Sequence, residues 1–194
     1  MKVKKIMLAM IIATSVTSCL MVGCTSSAPN IDKENYTVEE ISDLKKDLSK
    51  RISKDIKSSG LRLIEARTDG SFVLSLGNLE YMKNPPKQVI NYSMTTNKAK
   101  NKEILSLHCV REFSYDEKLS DDNKFMMATY NIYKSLTNTK LSGREFFDEV
   151  EKVFNKGEGT VKLPNMGDVI IEVNKVDKST KTLELRLDKE FTLK

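Results

Sequence analysis

The chain is predicted to fold as an α+β protein, with an antiparallel sheet of about six strands and helices packed on one face. Helix-like and strand-like patterns occur in separate runs: one helix, four strands, two helices, then two or three strands. Separated runs of this kind are typical of α+β folds. Several strand patterns alternate between apolar and polar residues, which predicts a sheet with one packed face and one largely polar face in water.

The first helix is predicted over 37–60, in the segment TVEEISDLKKDLSKRISKDIKSSG. Thr37 and Glu40 have the spacing of a capping box, and Gly60 fits the end of the helix. Its opposite side is rich in lysine and arginine, which predicts either a solvated face or a contact with anionic lipid headgroups. Apolar residues recur at steps of three and four and predict one packed stripe: Val38, Ile41, Leu44, Leu48, Ile52 and Ile56.

Four strands follow this helix. The segments LRLIEA and FVLSL flank Asp69-Gly70, which is a hairpin signal. Pro85-Pro86 separates this hairpin from a third strand, in which Asn91, Ser93 and Thr95 alternate with apolar residues. The fourth strand, EILSLHCVREF, is predicted to direct alternate residues to the packed face: Leu105, Leu107 and Cys109.

Two helices and a hairpin complete the pattern. The second helix is predicted from about Ser120 to Leu136, and the third opens at Ser142, where Glu145 completes another capping box. The segments DVIIEVNKV and TLELRLDKEF form the final hairpin. Its second strand alternates leucine with charged residues: Glu184, Arg186 and Asp188.

The N-terminus has the composition of a secretory signal peptide. Three lysines precede an apolar stretch, and no acidic residue occurs before Asp32. The apolar stretch is shorter than the roughly 20 residues that a membrane-spanning helix requires. We therefore expect the segment to direct export rather than to span the membrane.

The end of this segment, Met21-Val22-Gly23-Cys24, resembles the lipobox of bacterial lipoprotein precursors. The resemblance implies that residues 1–23 are removed as a signal peptide and that Cys24 carries diacylglycerol and further acyl chains such as palmitate. Two or more acyl chains give stable membrane anchoring, whereas one gives only marginal binding. Cys19 is a second candidate, but the Leu-Met-Val run after it suits a mature N-terminus poorly.

This reading divides the chain into three parts: a signal peptide over 1–23, an anchored cysteine with a flexible tether over 24–36, and a single α+β domain over 37–194. Removal of the signal leaves 29 of the 32 basic residues against 27 acidic ones, a balance that argues against a nucleic-acid-binding protein. The excess of lysine over arginine suggests an A+T-rich, Gram-positive bacterium. The expected location is the extracytoplasmic face of the cell membrane.

The sequence indicates no catalytic motif, cofactor or metal site. The only histidine, His108, adjoins Cys109, but neighbouring strand residues point to opposite faces, which rules out a Cys-His dyad. One cysteine and one histidine cannot supply a zinc site in the mature domain. An acidic loop could bind calcium or, alternatively, satisfy a helix N-terminus: Asp116, Glu117, Asp121, Asp122 and Asn123.

The candidate binding surface is the polar face of the sheet. A wide polar face on a tethered domain favours docking of an envelope protein, although such a face can also simply meet water. We therefore expect a binding or accessory module at the outer face of the membrane; the alternatives are an envelope enzyme that uses carboxylates or a bound ion, and an inhibitor or immunity-type protein. The alternation assigns these residues to the polar face: Ser75, Asn91, Ser93, Ser106, His108, Glu172, Asn174, Glu184 and Arg186.

Overall fold

The computed structural model describes residues 31, 33–77, 87–137, 139–163 and 169–194. The predictions about the signal peptide, Cys24 and Pro85-Pro86 lie outside these residues. Within this part of the chain, no helix combines the length and the apolar character needed to cross a membrane.

The described residues form three α-helices and one eight-stranded sheet, which confirms the predicted α+β class. The sheet has two strands more than predicted, because β1 and β6 are too short to show an alternation in the sequence. The elements are β1 (Asn35–Tyr36), α1 (Val38–Ser58), β2 (Leu63–Ala66), β3 (Phe72–Leu76), β4 (Gln88–Asn97), β5 (Lys102–Ser114), α2 (Lys124–Thr137), α3 (Gly143–Phe154), β6 (Gly159–Lys162), β7 (Val169–Lys175) and β8 (Thr180–Leu193).

The two longest strands, β5 and β8, are neighbours and join two halves of the sheet. The spatial order is β2-β3-β4-β5-β8-β7-β6, and each neighbouring pair is antiparallel. Strands β2 to β5 are consecutive in the chain and adjacent in the sheet, as are β6 to β8. In the chain, α2 and α3 lie between the two halves; in the sheet, β8 lies beside β5, and β1 pairs in parallel with the end of β8.

The helices pack on one face of the sheet. The Tyr92 hydroxyl of β4 donates to the carbonyl of Lys45 in α1 at 3.3 Å. The rings of Phe113 in β5 and Phe154 in α3 meet edge to face, with centroids 4.9 Å apart. Alternate residues of the central strands, including the predicted Leu105, Leu107 and Cys109, are buried beneath these helices. Burial of this continuous apolar surface supplies the main stabilisation of the fold.

Helix α1 confirms the predicted capping box. The Glu40 amide donates to the Thr37 hydroxyl at 3.2 Å, and the Thr37 amide donates to the Glu40 carboxylate at 2.8 Å. One residue of the predicted stripe is wrong: Val38, the first residue of the helix, is 67% exposed. Packing also extends upstream of α1, since Ile31 and Tyr36 are buried.

Helix α2 begins later than predicted, at Lys124 rather than near Ser120. The side-chain oxygen of Asn123 accepts from the amide of Phe125 at 2.9 Å and therefore caps the helix. The capping box of α3 is confirmed, because the Glu145 amide donates to the Ser142 hydroxyl and the Ser142 amide to the Glu145 carboxylate.

Candidate functional site

The sheet face opposite the helices is the candidate functional surface, which we call the open face. Because consecutive strand residues alternate between faces, every second residue of β4, β5, β7 and β8 points to it. The assignments made from these four strands are confirmed as to face, and all are half-buried or exposed: Asn91, Ser93, Ser106, His108, Glu172, Asn174, Glu184 and Arg186.

Ser75 does not lie on the open face, so that assignment is wrong. Its side chain is 1% exposed, and its hydroxyl donates to the carbonyl of Arg62 at 2.7 Å. Ser75 pairs with Ile90 and shares the packed face with it. The prediction followed the polarity of Ser75, whereas the strand alternation directs it inward and leaves Leu74 and Leu76 outward.

The open face is mixed in character rather than largely polar. The half-buried residues Leu76, Val89 and Val110 lie side by side across β3, β4 and β5. Leu74, two residues before Leu76 on β3, extends this apolar strip to the next set of paired residues, where it lies opposite Asn91. None of the helices that the structure describes packs on this face, so the half-buried strip offers apolar area to a partner.

A cluster of ionic and polar side chains adjoins the apolar strip, and we call it the His108 cluster. It comprises Ser106, His108, Glu184, Arg186 and Asp188. The imidazole Nδ1 of His108 lies 3.2 Å from Glu184 Oε1, and Nε2 lies 3.5 Å from Asp188 Oδ1. The Ser106 hydroxyl donates to Asp188 Oδ1 at 2.6 Å. The antiparallel register causes this convergence, because His108 pairs with Arg186 and Ser106 with Asp188.

Asp188 belongs to the cluster but was not among the face residues predicted from the sequence. The signal for it was present, since Asp188 continues the alternation of Glu184 and Arg186. It is 55% exposed and also approaches Arg186, with 3.8 Å between Nε and Oδ2. Ion pairs this exposed contribute little to stability, about 0–1 kcal/mol each.

Two carboxylates lie directly opposite each other beside this cluster. Glu172 of β7 pairs with Glu184 of β8 in the antiparallel register. Like charges in directly opposed positions destabilise a sheet. Together with Asp188, this pair gives the region three carboxylates next to one guanidinium and one imidazole. The local surface therefore suits a partner that presents basic groups.

The geometry of the cluster is not that of an activated nucleophile. Nucleophilic catalysis by serine requires its hydroxyl to be hydrogen-bonded to a base such as imidazole. Here the Ser106 hydroxyl donates to the Asp188 carboxylate, and each His108 nitrogen faces a carboxylate instead. The arrangement is suited to recognition through charge and hydrogen bonding rather than to acyl transfer.

Cys109 is confirmed as a packed residue, separated from His108 by the sheet. Its side chain is fully buried, whereas that of His108 is 38% exposed on the open face. Burial raises the pKa of the Cys109 thiol well above its usual value, and the nearby Glu184 adds to this effect. A protonated, inaccessible thiol is unreactive.

The acidic residues between β5 and α2 do not converge. Asn123 caps α2, the Glu117 carboxylate accepts from the Ser114 amide at 3.2 Å, and Asp121 lies 3.5 Å from Arg144. Across the described ranges, no group of three or more histidine, cysteine, aspartate or glutamate side chains is placed to hold a metal ion.

Among the described residues, three cavities lie outside the His108 cluster, and one of them reaches Leu76 of the apolar strip. One of about 320 Å³ opens between α2 and α3, and two of about 500 and 480 Å³ share Gly77, Gln88 and Arg111 at one end of the sheet. The Arg111 guanidinium donates to Asn123 Oδ1 at 3.1 Å, which ties it to the cap of α2.

An enzyme that uses carboxylates would need acids with shifted pKa values that converge in such a cavity. Burial raises the pKa of Asp55, opposed by the hydrogen bond from Ser135. Asp55 packs between α1 and α2, however, and lines none of these three cavities.

Comparison of the chain with protein-family models, curated protein sequences and solved structures finds no match. The functional assignment therefore rests on the residues and contacts described above.

Proposed function

We propose that the chain is a lipoprotein of the bacterial cell envelope, anchored through diacylglycerol on Cys24, and that it works as a binding module. In this proposal the open face holds a partner protein at the extracytoplasmic surface of the membrane. The anchor is supported by the signal-like N-terminus and by Met21-Val22-Gly23-Cys24. The binding role is supported by the composition of the open face.

The observation that carries the binding role is that the apolar strip lies beside the opposed carboxylates Glu184 and Glu172. In the register of β5 and β8, Val110 pairs with Glu184, which in turn pairs with Glu172. Protein interfaces combine an apolar centre with a polar rim, and complementary charge fixes the orientation of the partner. The partner is accordingly a protein surface with basic side chains beside apolar ones.

The anchor is tested by metabolic labelling with a fatty acid. The full precursor is expected to incorporate label, and Cys24→Ala is expected to lose both the label and the lipoprotein-specific cleavage. Cys19→Ala serves as the matched control and should remain labelled. Label that persists in Cys24→Ala but not in Cys19→Ala would move the anchor to Cys19.

The binding role is tested by photo-crosslinking in living cells. A photoreactive amino acid replaces Ser93 on the open face or, as a control, Lys156, an exposed residue after α3. We expect one crosslinked protein, in stoichiometric amount, from position 93 only. Tight one-to-one capture that persists after purification would indicate the inhibitor class.

Charge reversal on the open face distinguishes specific docking from non-specific contact. The double variant Glu172→Lys/Glu184→Lys should abolish the crosslink, because it replaces both opposed carboxylates. The control Asp116→Lys/Glu158→Lys changes the net charge equally at exposed positions outside the open face. A crosslink that survives the first variant, or is lost equally in both, would refute docking at the open face.

A further inference from the structure

We infer that a stripe of four lysines along α1 rests on the anionic surface of the membrane, so that the open face points away from the bilayer. Lys46, Lys50, Lys54 and Lys57 follow one another at intervals of four, four and three residues. With 3.6 residues per turn, this spacing places them on one side of the helix over about 17 Å. This inference rests on the proposed anchor at Cys24.

The stripe is exposed and not neutralised by ion pairs. All four lysines are exposed, and none forms an ion pair with a carboxylate among the described residues. The acids on this part of α1 have other direct partners: Asp47 pairs with Arg51 at 2.8 Å, and Asp55 accepts from Ser135 at 2.6 Å, while the Lys54 charge acts on Asp55 without forming an ion pair. Positive charge therefore dominates the last three turns, whereas Glu39 and Asp43 precede the stripe.

The stripe lies opposite the packed side of α1. The buried residues Leu44, Leu48, Ile52 and Ile56 centre about 180° from the lysines at 100° per residue. Because the packed side of α1 faces the sheet and α2, the lysines point away from the sheet. A bilayer that contacts them would thus lie on the helical side of the domain, and the His108 cluster would remain accessible.

A short connection brings α1 close to the proposed anchor. Seven residue steps separate Cys24 from Ile31, which is buried in the core, and they span at most about 25 Å. Strand β1 holds the following residues against β8, and α1 begins two residues after it. The anchor therefore keeps α1 within reach of the headgroups, where each lysine near an anionic surface gains attraction.

The test measures binding to vesicles in the absence of the anchor. The chain from residue 24 onward, with Cys24→Ser, retains every buried residue among those the structure describes and carries no acyl chain on residue 24. At low ionic strength we expect it to co-sediment with phosphatidylcholine vesicles that contain phosphatidylglycerol, but not with pure phosphatidylcholine. Substitution of all four stripe lysines by glutamine should lower the partition coefficient by at least about tenfold.

The matched control substitutes Lys118, Lys140, Lys156 and Lys178 by glutamine. These residues are also exposed, so the change in net charge is identical. The control should bind within about twofold of the unmodified chain, because its lysines lie outside the stripe. Equal loss in both variants would overturn the inference, as would the absence of vesicle binding together with binding to soluble polyphosphate.

Amine footprinting gives a second readout that needs no substitution. Acetylation of the stripe lysines should slow when anionic vesicles are added, whereas acetylation of Lys118 and Lys140 should not. Uniform protection would contradict the proposed orientation. Neither experiment requires acylation or a partner protein. If Cys24 were not labelled by fatty acid, the anchor proposal would fail but the expected vesicle binding would be unchanged. The two proposals can therefore fail separately.

Discussion

Lys45 of α1 and Glu103 of β5 form an ion pair beneath the helix, with 2.6 Å between Nζ and Oε1. The Glu103 side chain is fully buried, and Lys45 is 16% exposed. The Lys45 ammonium does not form a hydrogen bond of normal geometry with Glu103 Oε1. The Thr96 hydroxyl donates a hydrogen bond to the other carboxylate oxygen, Glu103 Oε2, at 2.7 Å. The pair therefore joins the start of β5 to α1, and its carboxylate is out of contact with water.

Lys45→Met is expected to lower the free energy of unfolding by about 3–5 kcal/mol, because it leaves the Glu103 carboxylate buried without its counter-charge. The double variant Lys45→Met/Glu103→Leu should recover most of this loss, since no buried charge remains. Urea unfolding followed by circular dichroism measures both values. A double variant as unstable as the single one would show that the pair is not the cause.

Gly70→Ala is expected to destabilise the protein more than Gly60→Ala. Both glycines have positive φ, 76° and 72°, which costs an L-residue roughly 1–2 kcal/mol. A Cβ at Gly70 would lie 2.6 Å from the Lys45 carbonyl oxygen, whereas at Gly60 it would meet only the flexible Lys124 side chain at 3.5 Å. If both variants lost the same free energy of unfolding in urea, the turn between β2 and β3 would not pack against α1 at Gly70.

Cys109 is expected to react with a maleimide only when the protein unfolds. In the chain from residue 24 with Cys24→Ser, it is the only thiol. Its complete burial and the raised pKa of the thiol both suppress the reactive thiolate. Mass spectrometry should show slow labelling in buffer and rapid labelling in urea. Rapid labelling in buffer would mean that the sheet opens locally at β5.

Acid is expected to weaken the start of α3. The hydrogen bond from the Ser142 amide, followed by that from its hydroxyl, lowers the pKa of Glu145 below its usual 4.5. A depressed carboxyl pKa gives stability that is complete above the unfolded pKa and is lost as the pH falls through the folded one. Unfolding midpoints should therefore decrease below about pH 4.5.

Glu145→Gln isolates this contribution, because it keeps an acceptor oxygen but removes the titration. We expect its unfolding midpoint in urea to decrease less between pH 5 and pH 3 than that of the unmodified protein. Glu158→Gln, at an exposed position outside any helix cap, is the matched control and should follow the unmodified protein. Identical acid curves for all three proteins would refute the prediction.

The helix caps and strand faces could be predicted because they depend on residues close together in the chain. The two capping boxes could be predicted from residue spacing alone, in Thr37 with Glu40 and in Ser142 with Glu145. The burial of Cys109 could be predicted from the alternation of β5 alone. The start of α2 could not be fixed in this way, because several polar residues precede it. Asn123 is the residue whose oxygen reaches the helix amides.

By itself, the sequence determined the α+β class, the three helices, and the side of the sheet to which His108, Glu184 and Arg186 point, because periodicity and capping are local properties of the chain. Only the tertiary structure decided that β8 lies beside β5, that Asp188 joins His108, and that Glu172 opposes Glu184. These contacts depend on register between strands distant in sequence, and alternation specifies a face but not a neighbour. The exposed lysine side of α1 could be recognised in the sequence, whereas its position opposite the open face followed from packing.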